Sequence, residues 1–422
     1  MKMVASTDIK FYVHSNNNAP QLQNAFGSMI GVLDACLVNG ISLGLVSSLT
    51  TIGTTVTAVF STAHNLIQYQ VFKIVGANQA EYNGEHRILT VPNATSVTFE
   101  LGSAPSTTTA TGIITASLPP LGWEKPFSSA NAAGGGKAAY RSKNMLLPSR
   151  PFLRVVDELD PVYTATYAKY AKVGIVEDMT DINTMLGVQA PYDATNPDKN
   201  WVGAGSGTST VNGWARWYYA RGSAPTLNGS DASSPLGGDR VWLLIGNEDY
   251  FYILPAVNPL TSNALKILYG FGAFDKLIEN DNSNTFLISS YMTSNAGQGL
   301  TPGNYIGATQ NTTNKYLLVH RGYAQNGSSE VANCYSIGCS ASIYSGTADY
   351  IGSTSLNGLS PFAPVYIQEN VLRGVLPSLN WLFQNKPFLN NQAIENNNSI
   401  YIAQDVVASS SQGQVVFYLG DL

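Results

Sequence analysis

Between about Leu49 and Ala116, turn signals recur roughly every 8–12 residues, and the stretches between them alternate apolar and polar side chains. A side-chain period of two is that of a half-buried strand, and runs this short leave no room for helices of ordinary length. Val56, Ala58 and Phe60 alternate with Thr57 and Val59, and the run 69–75 carries Val71, Phe72, Ile74 and Val75. Glu81-Tyr82-Asn83-Gly84 holds an Asn-Gly hairpin signal. The runs 87–91, 96–101 and 110–116 follow. These features predict a small all-β barrel or sandwich over 48–117, inserted into a different host.

The host begins with a strand at 8–14, where Ile9, Phe11 and Val13 alternate with Lys10 and Tyr12. From 21 to 37, Leu22, Phe26, Met29, Ile30, Leu33 and Leu37 fall at spacings of three and four. That is the clearest helical stripe in the chain, and Asn39-Gly40 marks its end. Beyond the module the chain is again rich in strand signals. The pairs 240–245 with 250–254 predict a hairpin, and 286–292, 315–320, 331–337, 364–368, 399–407 and 414–419 predict further strands. A short helix is predicted at 260–268 and an anchored loop around Trp381 at 376–388. The predicted class is mainly β with an α+β host: antiparallel sheets, one N-terminal amphipathic helix and the inserted module. The predicted domains are 1–47 plus 118–235, 48–117, and 236–422, with the Gly/Ser/Asn-rich stretch 196–238 near the last boundary.

Composition narrows the function. Of the 422 residues only 12% are charged, with Lys+Arg 22 against Asp+Glu 27. This balance makes no basic field for nucleic acid. No run of about 18 apolar residues spans a membrane as a helix, and no signal-peptide stretch precedes Lys10. Three Cys and four His predict neither a disulfide framework nor a zinc cage, and no cofactor is expected. Cys334 and Cys339 stand five apart; cytosolic synthesis favours thiols, as it does for Cys36 on the helix.

Two resemblances follow from particular residues. His64-Asn65-Leu66, Gly76-Ala77, Tyr82-Asn83-Gly84, Val97-Thr98-Phe99 and Ala110-Thr111-Gly112 resemble a small β module of bacteriophage tail proteins. It is distantly similar to the first catalytic-cysteine half-domain of ubiquitin-activating enzymes. No Cys lies in the module, so the likeness implies a fold and no chemistry. Gly122-Trp123-Glu124-Lys125-Pro126-Phe127, Lys137-Ala138-Ala139-Tyr140-Arg141 and Phe152-Leu153-Arg154-Val155-Val156-Asp157 resemble virion structural proteins of tailed, chiefly contractile-tailed, bacteriophages. So do the runs 173–181, 269–274 and 371–377. Ala133-Gly134-Gly135-Gly136, ahead of Lys137, and Ala273 depart from that pattern. The resemblance implies a structural tail or baseplate subunit, made in the host cytoplasm and carried in the virion. Its partners would be copies of itself, as a trimer or ring, and other tail proteins.

Several residues invite chemical readings. Gly40-Ile41-Ser42-Leu43-Gly44 matches the nucleophile-elbow pattern, which needs a strand, a strained turn and a helix. Strand-like residues follow it instead. His14, His64, His86 and His320 show no metal spacing, and His86 beside Arg87 is expected to be solvated. Asp157, Glu158 and Asp160, and Glu177, Asp178 and Asp181, are the densest carboxylate clusters. Asp178 and Asp181 are expected to cap the start of a helix. Trp214, Trp217, Tyr218 and Tyr219 crowd one predicted strand and are candidates for a subunit interface. An ordinary strand buried on both faces is the equal alternative. Against the structural reading stand a receptor- or carbohydrate-binding fibre component and a polysaccharide-degrading tail enzyme. A glycan array and the variants Asp178→Asn and Asp181→Asn would separate them.

Overall fold

The computed structural model describes residues 4–207, 210, 212–222, 231–259, 266–292, 300–302, 306, 316–326, 330–335, 362–382, 386–408 and 411–422. Cys339 lies outside them. The described strands form three sheets, of thirteen, eight and seven strands. The fold is mainly β with a single short α-helix.

The seven-stranded sheet uses residues 41–118 alone. Its first strand begins at Ile41, ahead of the predicted boundary at 48, and runs to Ile52. The early part of that strand pairs with Gly112–Leu118 and the later part with Thr55–Phe60. The register shifts between Ser42 and Gly44. Gly44 sits at φ 87°, a backbone region that side chains disfavour, so glycine permits the bulge that lets one strand serve both halves. Inside, Phe72 and His86 both meet Phe99, with ring centroids 5.4 and 4.2 Å away. The hairpin from Val71–Ala77 to Gly84–Arg87 forms, but not through a two-residue Asn-Gly turn. A helical turn at Ala80–Tyr82 fills the connection, and the Asn83 amide clamps the N–H and C=O of Ala77. His86 and Arg87 are buried, which corrects the solvated expectation: His86 closes the interior and Arg87 faces the host.

The helix is shorter than its apolar stripe. It runs from Ser28–Leu33 and continues as a wider π-type turn over Asp34–Asn39. Leu22 instead bridges to Arg240, and Gly27 takes φ 89° with no room for a side chain: a Cβ would meet Gly135 Cα at 2.8 Å. Within the run Gly134-Gly135-Gly136, Gly135 therefore has a use. Gly135 lets the helix start approach the strand that carries Asp157.

The eight-stranded sheet orders Trp123–Ala130, Gly135–Ser142, Phe152–Glu158, Lys169–Asp181, Ala215–Ala220, Ser290–Met292 and Leu300–Pro302, with Thr184–Ala190 branching from Lys169–Asp181. The stretch 286–292, predicted as one strand, is two. Thr285–Ile288 belongs to the thirteen-stranded sheet, Ser290–Met292 to the eight-stranded one, and the chain crosses at buried Ser289. Lys10–Val13 likewise leaves the N-terminal segment to pair with Trp242–Gly246. Chain from either side of residue 235 therefore shares both large sheets. The predicted loop at 376–388 is largely strand, since Leu372–Leu382 pairs with Ser411–Asp421. Pro377 is tolerated because it falls where the register slips between Val375 and Asn380. Most of the helix predicted at 260–268 lies outside the described residues. One apolar core, including Leu33, Leu49, Tyr140, Trp217, Trp242 and Phe251, runs continuously among the three sheets.

Candidate functional site

Ser42 lies within the strand Ile41–Ile52 and pairs with Ser117. A bulged strand followed by more strand supplies no helix N-terminus for an oxyanion, so the elbow pattern here is coincidental.

The carboxylate clusters are engaged by their own neighbourhood. Asp181 accepts the N–H groups of Asn183 and Thr184 at 2.8 and 3.1 Å. The Thr184 hydroxyl, with the Asn183 N–H, holds its carboxyl below the usual range. The turn they close joins Lys169–Asp181 to Thr184–Ala190, which corrects the expected helix cap to a hairpin cap. Asp178 accepts the N–H of Met179. Asp160 is buried against the Lys172 ammonium at 2.9 Å and also takes the Gly203 N–H at 2.8 Å. Glu158 stands 3.8 Å from Lys137.

Asp157 is the unusual member. It is fully buried, accepts the Tyr219 hydroxyl at 2.6 Å, and takes the N–H groups of Met29 and Ile30 at 3.0 and 3.4 Å. Burial pushes its carboxyl up to about 6, although these donors favour the anion. Its position fastens the helix start to the sheet through an orphan N–H pair.

The aromatic strand lies deep in the fold. Ala215–Ala220 is buried at every position, and Trp217, Tyr218 and Tyr219 have no exposed surface. Trp217 stacks on Tyr269 at 5.9 Å and donates its indole N–H to Ile288 O at 2.8 Å. Tyr218 lies under the Arg221 guanidinium at 4.6 Å. Trp214 is half-buried beneath the Lys199 ammonium at 4.5 Å. Within this chain alone, both faces of the strand are covered. That geometry is the two-sided alternative rather than an open face of rings.

Spacing gave no hint of a polar junction that joins the large sheets. Arg373, fully buried, spends all five N–H donors: on both Asp281 oxygens, on Glu369, and on the carbonyls of Arg321 and Ser283. One Arg321 nitrogen, Nη2, donates to both Glu177 carboxylate oxygens at 2.6 and 2.7 Å, reaching into the eight-stranded sheet. Beside them His320 is buried and, among the described residues, has no hydrogen-bond partner on either ring nitrogen; burial lowers its pKa to about 4. The ring is neutral at pH 7. A guanidinium whose donors are all taken has none left to offer a ligand. No sequence signal marks this junction, because Asp281, Arg321 and Arg373 are far apart in the chain.

A partly open hollow lies between Trp123, Arg150, Asp249, Phe271 and Thr285. Its cavity volume of about 10 Å³ is room for about one water, far short of an ordinary ligand site. Ala273 also lines it. Among the described residues, no three His, Cys, Asp or Glu side chains are placed to hold a metal ion, and no helix is long and apolar enough to cross a membrane.

One surface stands apart. Leu45 and Val75 each pair with Thr115, from opposite sides, and Ile113 lies two residues along the same strand. These three are 56%, 45% and 82% exposed. The outer face of the seven-stranded sheet is thus apolar at its centre. The alternation that located the module could have pointed to it, since both faces of these strands carry apolar residues.

No protein-family model and no curated protein matches the chain. Among solved structures, the phage phi92 endosialidase is similar at 10% identity with a TM-score of 0.15, over 90% of this chain and 51% of that one. This chain thus spans about half the length of that neighbour. A likeness so slight carries neither fold detail nor activity across.

Proposed function

We propose that this chain is a structural subunit of a tailed-bacteriophage virion, placed in the tail or baseplate and working by assembly with copies of itself and with other tail proteins. The observation that carries the reading is the exposed apolar face formed by Leu45, Val75 and Ile113 on an otherwise well-packed sheet. Contiguous apolar surface of that kind is what association covers. The motifs resembling virion proteins support it. Most of them fall on neighbouring strands of the eight-stranded sheet, from Trp123–Ala130 to Lys169–Asp181. Buried arginines that tie separate segments together suit a part that transmits force rather than one that turns over substrate.

The double variant Leu45→Lys with Ile113→Lys tests the reading. It should stay folded, with a melting temperature close to that of the parent, but lose self-association in light scattering and incorporation into particles. A parent chain that stays monomeric at high concentration, and is not labelled by antibody on purified virions, would overturn the proposal. Strong binding on a glycan array would favour the fibre-tip alternative.

A further inference from the structure

Lys266 sits where the chain bridges both Ala256 and Val406, and only 2% of it is exposed. Among the described residues its Nζ meets two acceptors, both neutral amide oxygens: Gln404 Oε1 at 2.5 Å and Asn390 Oδ1 at 3.1 Å. The nearby carboxylate, Asp405, is already bound to the Lys386 ammonium at 2.6 Å and to the Gln414 amide at 2.8 Å. A buried ammonium without an ion-pair partner is costly, and shedding a proton relieves the cost. Burial indeed lowers its pKa to about 8. The neutral amine that results is a nucleophile.

The two amides differ. Asn390 Oδ1 also accepts the backbone N–H of Asp405 at 3.0 Å, so a fixed donor already faces the oxygen on which charge would gather. Its Nδ2 has no acceptor among the described residues. Gln404, by contrast, has its Nε2 held by Asn391 Oδ1 at 3.0 Å. The leaving nitrogen is therefore freer on Asn390.

We propose that Lys266 and Asn390 join in an intramolecular isopeptide bond. The lone pair of the neutral Nζ attacks Cγ of Asn390, the Nζ–Cγ bond forms, and the Cγ–Nδ2 bond breaks. The proton lost from Nζ leaves with Nδ2 as ammonia, and nothing is oxidised or reduced. The packing already holds Nζ within 3.1 Å of Asn390 Oδ1, which lowers the entropic cost of bringing the two groups together for an otherwise slow amide exchange. The bond ties residues 124 apart in sequence.

The test is mass spectrometry of the full chain, denatured after incubation at about pH 9, where the amine is largely neutral. The expected result is a chain lighter than its sequence by one ammonia, with one branched tryptic peptide containing both Lys266 and Asn390. Lys266→Arg should keep full mass; the measurement on the parent chain stands even if that variant folds poorly. Full mass without a branched peptide would overturn the proposal. So would ammonia loss with no branch, which marks a succinimide, or a branch at Gln404.

Discussion

The seven-stranded sheet and the strands around Trp217 are both antiparallel β-structure, yet they bury their residues in opposite ways. Along Thr55–Phe60 the inward residues Val56, Ala58 and Phe60 are buried, while the residues between them are not. Along Ala215–Ala220, Trp242–Gly246 and Tyr250–Pro255 every residue is buried. Alternation is written into a sequence only where one face of a strand meets water. A strand covered on both faces needs apolar or tied polar groups everywhere, and its period disappears. The contrast explains why the module could be outlined from periodicity, whereas the Trp214 to Tyr219 run was ambiguous between core and interface.

Four changes would break or sharpen that contrast. The largest effect should come from Trp217→Ser with Tyr219→Ser, which empties one face of a strand buried on both. Single aromatic truncations in cores cost about 3–5 kcal/mol, so the double variant should unfold in denaturant well below the parent. An isolated chain of parent stability would show that these rings are not core. Arg373→Met comes next. It leaves the Asp281 carboxylate buried without its guanidinium, a loss of roughly 3–5 kcal/mol by the usual cost of halving a buried pair. Equilibrium unfolding checks it, and a neutral result would mean that the junction does not join the sheets.

Asp157 should show itself through pH. Its folded pKa of about 6 lies above the ordinary 3.8, so the folded chain holds this proton more tightly than the unfolded one. The associated stability is fully present below about pH 4, falls as pH rises to about 6, and is absent above that, by a total on the order of 3 kcal/mol. The stability difference between parent and Asp157→Asn should follow that curve. A difference independent of pH between about 4 and 6 would show that the carboxyl titrates normally. Smallest of all, Ile52→Ser changes a side chain 90% exposed at a hairpin end. It should move stability by no more than about 0.5 kcal/mol, and a larger loss would mean the tip packs against something.

The relation between module and host sharpens the comparison in another way. Arg87, on a module strand, donates to the carbonyls of Ser6, Tyr69, Ile9 and Leu419, so it fastens the module to the N-terminal segment and to the last strand. Tyr69 also reaches Glu395 in the thirteen-stranded sheet. We propose that 41–118 nevertheless folds as a unit. Ile41 and Leu118 are paired neighbours, so a Gly/Ser joint between them spans no distance. Removing the module should leave a folded but less stable host, because the Ile9 and Leu419 carbonyls lose a buried donor. Lost sheet signal in circular dichroism would count against it.

The sequence by itself determined the β-rich class, most of the module's strands and the apolar residues of the helix, because each is a local property repeated at a fixed period; the run expected as a strand at 87–91 instead divides between Gly84–Arg87 and Thr90–Asn93. Val56, Phe72, Ile74 and Val97 could be placed in a core from their neighbours alone. Only the tertiary structure decided the rest. Gly27 against Gly135 set where the helix starts, Ser289 set where one run of chain divides between two sheets, and burial made His86 and Arg87 interior groups. Arg373 with Asp281, and Lys266 with Asn390, are joined across 92 and 124 residues of chain. Their chemistry comes from lost water and from neighbours supplied by distant segments, and a linear pattern of residues encodes neither at any fixed spacing.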